Sequence, residues 1–437
     1  MTRNLYPEQG AQTRLALEDA YGALPGSPDW RRLNGIGLML KPEVEIDAFA
    51  PKGALVPTLP IVNDSFTAME YEGRIDFNSL QYPLCGVAGL VNPSDLGGSP
   101  NAYQWQWTWN GRASNMAASY ASHYGFPDSA EQALGLIFNS MEVSGARPDG
   151  FEVSGDGFAK AMSAGNTMGG ITLERQTITP TGTISGGSFT YTFRGFTATI
   201  PFDSTAAAIQ TLLEALPVFS PGDVIVAGGP VNTTPVTIDY SGSYAGQDVE
   251  LAVVDDALIT GGGSLAIAET TPGDDTVTDI SPVPAGAILG QACLDTTWAG
   301  LGTTQLGYAL GMSATLGERM SRVMPMNRSF STDERIDVPD QDHNLTLTLA
   351  RNAVADAQLA RLQAGTWVFP RVDWEGATIS GANKYLFRLE CAMFYDDIGQ
   401  AQSTQNALTR EYSGRMGIDP VSGNVWRITL VNDRASL

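Results

Sequence analysis

The sequence predicts a mostly β fold of the α+β class, and three observations support this prediction. The 437 residues include 48 glycines and 25 prolines, which divide the apolar residues into short runs. Several runs alternate apolar and polar residues, as in YQWQWTW at 103–109 and NLTLTLA at 344–350. Helical spacing is confined to short segments such as 206–216 and 353–363. We therefore expect sheets with flanking helices.

The C-terminal stretch, residues 344–432, predicts a strand, a helix and three further strands. Ala355, Leu359 and Leu362 fall on one side of the helix, and Gly365 supplies its stop signal. The three strands that follow are expected at 366–374, 385–393 and from Gly423 onward. A helix packed on such a sheet makes one compact core.

Residues 65–154 predict the same order of elements. SFTAMEYEGRIDFNSLQYPLCGVAG at 65–89 indicates a strand and then a helix, followed by the aromatic strand 103–109, which we match to 366–374. Each region closes with two strands around a turn that contains proline and glycine. We interpret this as one β unit that occurs twice. The alternative is that any mostly β chain yields such a match.

Four parts follow from this reading: an N-terminal arm (1–34), a first β unit (35–171), an insert (172–280) and a second β unit (281–437). Residues 13–21 of the arm are expected to form one or two helical turns. The insert combines short strands with a helix at 206–216, for which Asp203 or Ser204 is the expected cap.

The insert is also distinguished by its charge and its flanks. The net charge of the whole chain is −22, and residues 177–280 hold twelve acidic residues against a single arginine. Its flanks at 177–187 and 258–279 have the composition of linkers, so we expect the insert to stand away from the core. An acidic chain of this kind is not expected to grip nucleic acid.

The sequence gives little support to catalysis, cofactor binding or metal binding. Its two histidines, His123 and His343, are expected to be structural or solvated. The cysteines Cys85, Cys293 and Cys391 lack CxxC spacing and are expected to be buried thiols. No apolar run approaches a membrane span, and the N-terminus has no signal-sequence pattern, so we expect a soluble cytoplasmic product.

Four strings resemble structural proteins of bacteriophages. RLALEDAYGALPGSPDWRRL at 14–33 and LDTTWAGLGTTQLGYALGMSA at 294–314 resemble tail tube (major tail) proteins of siphophages. Within the insert, FTYTFRGF at 189–196 and YSGSYAGQDV at 240–249 resemble small accessory domains of phage virion proteins. The resemblance spans the arm, both β units and the insert.

This resemblance implies a structural virion protein and no enzyme. Tail tube proteins have a β-sandwich or partial barrel with a flanking helix, and they pair strands between subunits to form rings that stack into a hollow tube. A chain with two such units would need three copies for a pseudo-hexameric ring, with a hexamer as the alternative. The implied partners are further copies of the chain, a tape measure protein and a tail terminator. Double-stranded DNA would pass through without specific binding, and the insert would decorate the outside and contact the host surface.

The implied location is the virion tail, assembled in the host cytoplasm, and the resemblance suggests two sets of site residues. Glu70, Glu72 and Asp76 are candidates for the lumen, because an acidic wall does not retain DNA; an outer solvated face is the alternative. Residues 325–343 form a loop too long and polar for a hairpin turn, and we expect it to contact the adjacent ring. Its candidate residues are Asp333, Glu334, Arg335, Asp337 and Asp340.

Two other functions stay open at this stage. One is a tail-tip, baseplate or other virion protein whose insert binds glycans. Trp105, Trp107 and Trp109 would discriminate it, since exposed tryptophans in a groove stack on sugars, whereas buried ones belong to the core. The other is a bacterial surface protein or adhesin with immunoglobulin-like modules. The missing secretion signal and membrane anchor argue against that second alternative.

Overall fold

The computed structural model describes residues 11–437 except 51, 53–55, 112–116, 128, 147–149, 276, 287–289, 318, 324–333, 338–341 and 405–406. Strands account for 57% of the chain and helices for 9%, so the predicted mostly β class is confirmed. Three α-helices lie among the described residues, together with the 3₁₀ turns Gly242–Tyr244 and Trp298–Gly300.

The elements fall into three groups along the chain. The first group is β1 (Gln12–Leu17), β2 (Arg31–Leu33), β3 (Ile36–Phe49), β4 (Leu59–Arg74), α1 (Gln81–Val87), β5 (Ser94–Gly98), β6 (Asn101–Trp109), β7 (Tyr120–Phe126), β8 (Ser129–Phe138), β9 (Met141–Ala146), β10 (Phe151–Ala159) and β11 (Ala161–Asn166). The second group is β12 (Ile171–Thr172), β13 (Glu174–Thr181), β14 (Gly186–Phe193), β15 (Phe196–Pro201), α2 (Ala206–Glu214), β16 (Val224–Gly228), β17 (Val236–Tyr240), β18 (Val253–Asp255), β19 (Ile259–Thr260), β20 (Ser264–Thr271), β21 (Asp274–Asp275) and β22 (Thr278–Asp279). The third group is β23 (Gly290–Asp295), β24 (Ala309–Leu316), β25 (Met320–Val323), β26 (Glu334–Asp337), β27 (His343–Ala350), α3 (Ala353–Ala364), β28 (Phe369–Ser380), β29 (Asn383–Cys391), β30 (Met393–Ile398), β31 (Gln402–Thr404), β32 (Ala407–Met416) and β33 (Trp426–Asn432).

Eight strands from the first and third groups form one continuous antiparallel ladder, which we call the eight-strand sheet. Its order is β3-β4-β10-β9-β24-β27-β32-β30. Four strands of the first group thus lie side by side with four strands of the third. The joint between the two groups is the pairing of β9 with β24, which runs from Gly311 opposite Ala146 to Leu316 opposite Met141.

Two outer layers cover one face of the eight-strand sheet. One has the order β1-β7-β8-β11, and the other contains β23-β28-β29-β33, extended by β6 and β5. Buried side chains of the sheet and of both layers form one hydrophobic cluster. Phe151 of the sheet packs on Trp374 of the second layer with ring centroids 4.3 Å apart, and Tyr71 packs on Phe138 of the first layer at 4.9 Å. The core therefore continues across the joint.

The first and third groups have equivalent ladders, and we call residues 12–166 the first half and 290–432 the second half. In the first half β1 pairs with β7, β7 with β8, β8 with β11, β3 with β4, β4 with β10, and β10 with β9. In the second half β23, β24, β27, β28, β29, β30, β32 and β33 repeat these six pairings in the same chain order. A helix follows β4 in one half and β27 in the other.

These ladders correct the match of strands made from the sequence. The aromatic strand β6 was matched to β28, but the strand equivalent to β28 is β7, because each of these pairs with the long bent strand that follows it. Strands β5 and β6 have no equivalent among the described strands of the second half, and β6 pairs with β33 of that half. Aromatic content led to the wrong match, since both β6 and β28 supply tryptophans to the same core.

The predicted helices are confirmed at α2 and α3, and the helix predicted in the later part of 65–89 is the short α1. In α3 the Asn352 side chain accepts from the Ala355 N–H, and Gly365 ends the helix at a φ of 59°. The cap of α2 is Thr205, not the predicted Asp203 or Ser204, and its hydroxyl accepts from the Ala208 N–H. Both caps provide an acceptor for N–H groups that have no partner inside the helix.

The insert has a hydrophobic core of its own, built on two four-stranded sheets and α2. The prediction of a linker at 177–187 is wrong, because β13 is a central strand of one of these sheets. Its threonines alternate with buried Gln176 and Ile178, and β-branched threonine suits a strand as well as a linker. The insert returns to the first half where β22 pairs in parallel with β2.

The prediction of helical turns at 13–21 is also wrong. Residues Gln12–Leu17 form β1, which pairs along its whole length with β7. Arg14 is fully buried there, and its guanidinium donates to the Asp275 carboxylate at 2.9 Å. A buried sheet position with an acidic partner from a distant segment overrides the local helical spacing.

Candidate functional site

The eight-strand sheet ends in two edges. Among the described strands, β3 pairs only with β4, and β30 pairs with β32. An isolated bridge joins Val368 to Met393 at the start of β30. Beyond that bridge the outer side of β30 faces no described strand. Each edge thus presents a row of backbone N–H and C=O groups that can accept another strand.

The joint between β9 and β24 shows what such an edge accepts. Here the last strand of the first half meets the first strand of the second half over six residue pairs. Val143 and Ala314 face each other on the core side and are buried. On the opposite side the Ser313 hydroxyl donates to Glu142 at 2.7 Å. The joint combines backbone pairing, apolar contact and a polar contact on the uncovered face.

The face of the eight-strand sheet opposite the core is polar, and we call it the polar face. Glu70 and Glu72 of β4 lie exposed on it. Glu70 stands directly opposite Asp156 of β10, which is also exposed. Like charges placed opposite each other across a ladder repel, so packing of the sheet does not account for these residues. Serine, threonine and asparagine fill much of the rest of this face, as at Ser144, Ser154, Ser313, Thr315, Asn344 and Thr346.

Asp76 does not belong to the polar face, which corrects its prediction as a lumen residue. Its side chain is buried, accepts from the Ser79 hydroxyl at 2.5 Å and accepts from the Val283 N–H at 2.6 Å. The Asn78 N–H also donates to it, at 3.2 Å. Strand β4 ends at Arg74, so the alternation that placed Asp76 beside Glu72 stops before it. Asp76 orders the turn into α1.

The predicted contact loop lies partly outside the described residues. Asp333 and Asp340 are among the residues that the structure does not describe. Glu334, Arg335 and Asp337 belong to β26, which pairs with β25. The segment is therefore the second strand of a hairpin and not only a loop, which corrects the prediction. Polar composition concealed this strand, because a two-stranded ribbon in solvent needs few apolar residues.

That ribbon is the counterpart of a longer hairpin in the first half, formed by β3 and β4. The outer part of the β3–β4 hairpin, 43–49 with 59–63, exposes apolar side chains on both faces: Val44, Ile46, Phe49, Leu59, Ile61 and Val62. Ile46 lies opposite Val62 on one face, and Phe49 lies opposite Leu59 on the other. An exposed apolar ribbon of this kind marks an interaction surface.

Both histidines are buried. Of the two expected settings, structural or solvated, neither histidine has the solvated one. The His123 ring stacks on Trp30 at 4.3 Å, and its Nδ1 accepts from the Gly169 N–H at 2.7 Å. Burial and then the charge of Arg14 lower the pKa of His123 to about 4. Burial is also the largest cause that lowers the pKa of His343 to about 4. Both are therefore neutral, structural side chains near pH 7.

The tryptophan strand belongs to the core. Trp105 and Trp107 are each 1% exposed, and the Trp107 Nε1 donates to the Gly89 carbonyl at 2.8 Å. Trp105 and Trp107 are thus not exposed in a groove, as the glycan-binding alternative required. All three cysteines are buried, as expected, and burial raises the pKa of Cys85 to about 12. In the described part of the chain, no group of three or more histidine, cysteine or acidic residues is arranged to hold a metal ion.

Sequence reasoning missed the network that holds the insert to the first half. Asp275 forms ion pairs with Arg14 at 2.9 Å and with Arg32 at 2.6 Å, and Arg32 also forms an ion pair with Asp279 at 3.1 Å. These partners are more than 240 positions apart in sequence, so only the excess of acid in the insert hinted at them. The network lies on β1, a strand of an outer layer, and on β2, which pairs with β1. Neither strand belongs to the polar face.

No protein-family model matches the chain, and no curated protein matches it. Among the residues that the structure describes, none of the helices has both the length and the apolar character needed to cross a bilayer. The features that bear on function are therefore the two sheet edges, the polar face and the hairpins.

Proposed function

We propose that this chain is a self-assembling structural protein whose eight-strand sheets join edge to edge into a closed ring around a channel. The observation that carries this proposal is the joint between β9 and β24. Because the halves have equivalent ladders, β30 of one copy can receive β3 of the next beyond its bridge to Val368, in the way that β9 receives β24. The unpaired edges then complete each other, and repetition of one heterologous contact closes a ring.

The number of copies follows from the size of the channel. Three copies would supply three times eight, or 24, strands. At a strand spacing of about 4.8 Å and a tilt of about 40°, such a barrel is about 50 Å across between backbones. Side chains about 5 Å deep on each wall leave a bore of about 40 Å, which admits a DNA duplex about 20 Å wide. Six copies would double the width, so three copies fit the task best.

The polar face would line this channel, since the other face of the sheet is covered by the outer layers. Glu70, Glu72 and Asp156 would then give the wall negative charge, partly offset by Lys41 and Arg415, which lie opposite Ala68 and Asn344 on the same face. Phosphates bind tightly where lysine and arginine neutralise them, so an acidic wall lets DNA slide. The insert is tied to β1 and β2 in an outer layer, which supports a position outside the ring.

These features together favour the major tail tube subunit of a long-tailed bacteriophage, in which stacked rings form the conduit for DNA. Further copies of the chain, a tape measure protein and a tail terminator would be the partners. The site of action would be the virion tail, after assembly in the host cytoplasm. The insert would then be a decoration domain able to contact the host surface.

Electron microscopy of the purified chain tests the proposal. We expect rings or tubes with an open bore of about 40 Å and three outer densities for the insert per ring. Introducing proline on the β30 edge, as in Ile398→Pro, should prevent rings, because proline cannot donate to a ladder. The Gly399 N–H donates to the Glu411 carbonyl of β32, so the N–H of the preceding Ile398 faces the open side of β30. The matched control, Ile267→Pro on the edge strand β20 of the insert, should still assemble, since the Leu265 N–H two residues earlier donates to Asp256 and not to β13. A monomer at every concentration would refute the function, and six insert densities per ring would refute the trimer.

A further inference from the structure

We propose that a cavity between the eight-strand sheet and the second outer layer binds a small neutral organic molecule with a ring-sized apolar body and one hydrogen-bond acceptor. The cavity has a volume of about 160 Å³ and lies between β24 and β27 of the sheet and β23 and β28 of the layer. The indole N–H of Trp374 donates to the acceptor of the bound molecule. The site is separate from the two sheet edges and the polar face, so this inference does not depend on ring assembly.

The inner walls of the cavity are apolar. Gln291 and Gln305 also line it, but both are exposed, so its polar end is toward solvent. A cavity of about 150 Å³ with apolar walls is large enough to bind benzene, so a body of one six-membered ring fits here. The buried apolar side chains of the walls are Phe151, Leu306, Met312, Leu347, Val372 and Trp374.

Glycine at position 290 opens the space beside the indole ring. Gly290 lies directly opposite Trp374 in the β23–β28 ladder, so both positions face the same side of the layer. That side is the core side, where Trp374 packs on Phe151 with ring centroids 4.3 Å apart. A Cβ on Gly290 would lie 2.8 Å from Trp374 Nε1 and 3.5 Å from the Phe151 ring. The missing side chain therefore leaves room next to the N–H group.

The Trp374 N–H is the polar group that the ligand satisfies. Trp374 is 1% exposed, and its Nε1 has no hydrogen-bond partner in the described part of the chain. By contrast, the Nε1 groups of Trp105 and Trp107 donate to Asn432 and Gly89. A buried donor without a partner destabilises the fold. Water in this space would need several polar partners, whereas the atoms nearest to it besides Nε1 are ring carbons of the two aromatic side chains. An acceptor on an apolar body suits both the N–H and the walls.

The cavity also extends across the joint between the two halves. Gly145 of β9 and Phe151 of β10 belong to the first half, and the other lining residues belong to the second. Gly145 lies opposite Met312 in the β9–β24 ladder, so the cavity lies on the covered side of the joint. A ligand here contacts both halves. Because it binds the folded chain only, it stabilises that chain by mass action.

Equilibrium dialysis of the full chain tests the site with two compounds of similar shape. Benzonitrile has a ring and a nitrile acceptor, and toluene has the ring without an acceptor. The preference for benzonitrile over toluene should fall about fivefold to tenfold in Trp374→Phe, because this variant lacks the indole N–H. The matched control is Trp426→Phe, since the Trp426 Nε1 is also buried without a partner in the described chain but does not line the cavity. It should keep the preference of the parent chain, and an unchanged preference in Trp374→Phe would overturn the proposal.

Filling the space beside the indole gives a second test. Gly290→Ala should weaken benzonitrile binding about tenfold or more, because its Cβ occupies the place of the acceptor. Gly286→Ala, where no atom lies within 4 Å of the added Cβ, lies outside the cavity and should bind like the parent. Benzonitrile should raise the melting temperature of the parent and of Gly286→Ala but not that of Gly290→Ala, and these melts also show that each variant is folded. If neither compound binds the parent chain, the cavity holds water only and the proposal is overturned, without consequence for the ring.

Discussion

The two buried histidines predict how the stability of the monomer depends on pH. Each has an ordinary pKa of 6.5 in the unfolded chain and a pKa of about 4 in the folded chain. Because the folded-state pKa is the lower one, the unfolded state binds a proton first as the pH falls. The stabilisation is fully present above pH 6.5 and is lost as the pH drops through about 4. At pH 5 each histidine should have lost about 2 kcal/mol of unfolding free energy.

The assay is urea unfolding at pH 7 and pH 5, followed by tryptophan fluorescence. The chain has only these two histidines, so the double variant His123→Gln, His343→Gln removes all proton uptake by histidine and leaves that of the carboxylates in place. Asp295 and Asp419, whose backbone and side-chain hydrogen bonds outweigh burial and lower their pKa, titrate below this window. The difference between the two pH values should be about 4 kcal/mol larger in the parent chain than in the double variant. An equal pH dependence of both proteins would refute the reasoning.

Two further predictions concern stability. Asp275→Asn leaves Arg14 buried without its charged partner and should lower the free energy of unfolding in urea by about 2–3 kcal/mol. Asp279→Asn, at an exposed carboxylate, should lower it by less than about 1 kcal/mol. Equal losses would contradict the role of Asp275. Gly73→Ala would place a Cβ 2.0 Å from the Gly35 carbonyl oxygen and should lower the melting temperature by an amount that corresponds to about 2 kcal/mol or more. Gly26→Ala, where no atom lies within 4 Å of the added Cβ, is the control and should melt with the parent chain.

Local signals in the sequence predicted the elements whose causes are local. The helix α3 was predictable because its apolar spacing and Gly365 lie within a single segment. The alternation of β27 likewise predicted a half-buried strand, and Leu345 and Leu347 are indeed buried. At the candidate site, Glu70 and Glu72 lie exposed within one regular strand, and their place in a lumen stays a prediction. Asp76 was wrongly placed beside them, because the strand ends before it.

Partner choice between distant strands was not predictable in the same way. The β1 segment has helical spacing, and only its pairing with β7, more than 100 positions away, makes it a strand. The match of β6 to β28 failed because tryptophan content reports burial and not position in a ladder. β3 and β30 are edge strands because no other described strand pairs along their outer sides. Such a property depends on the whole topology, so no single segment can encode it.

The unequal outer layers indicate how firmly copies would be joined. Inside one chain, β6 of the first half pairs with β33 of the second, and Trp105 donates to Asn432 at 3.1 Å. Among the described residues of the second half, no strand is equivalent to β6 and could extend the layer of the next copy. The joint between copies would therefore consist of the sheet edge, without this added strand. It is the weaker of the two joints, so rings should separate into intact chains before the chains unfold.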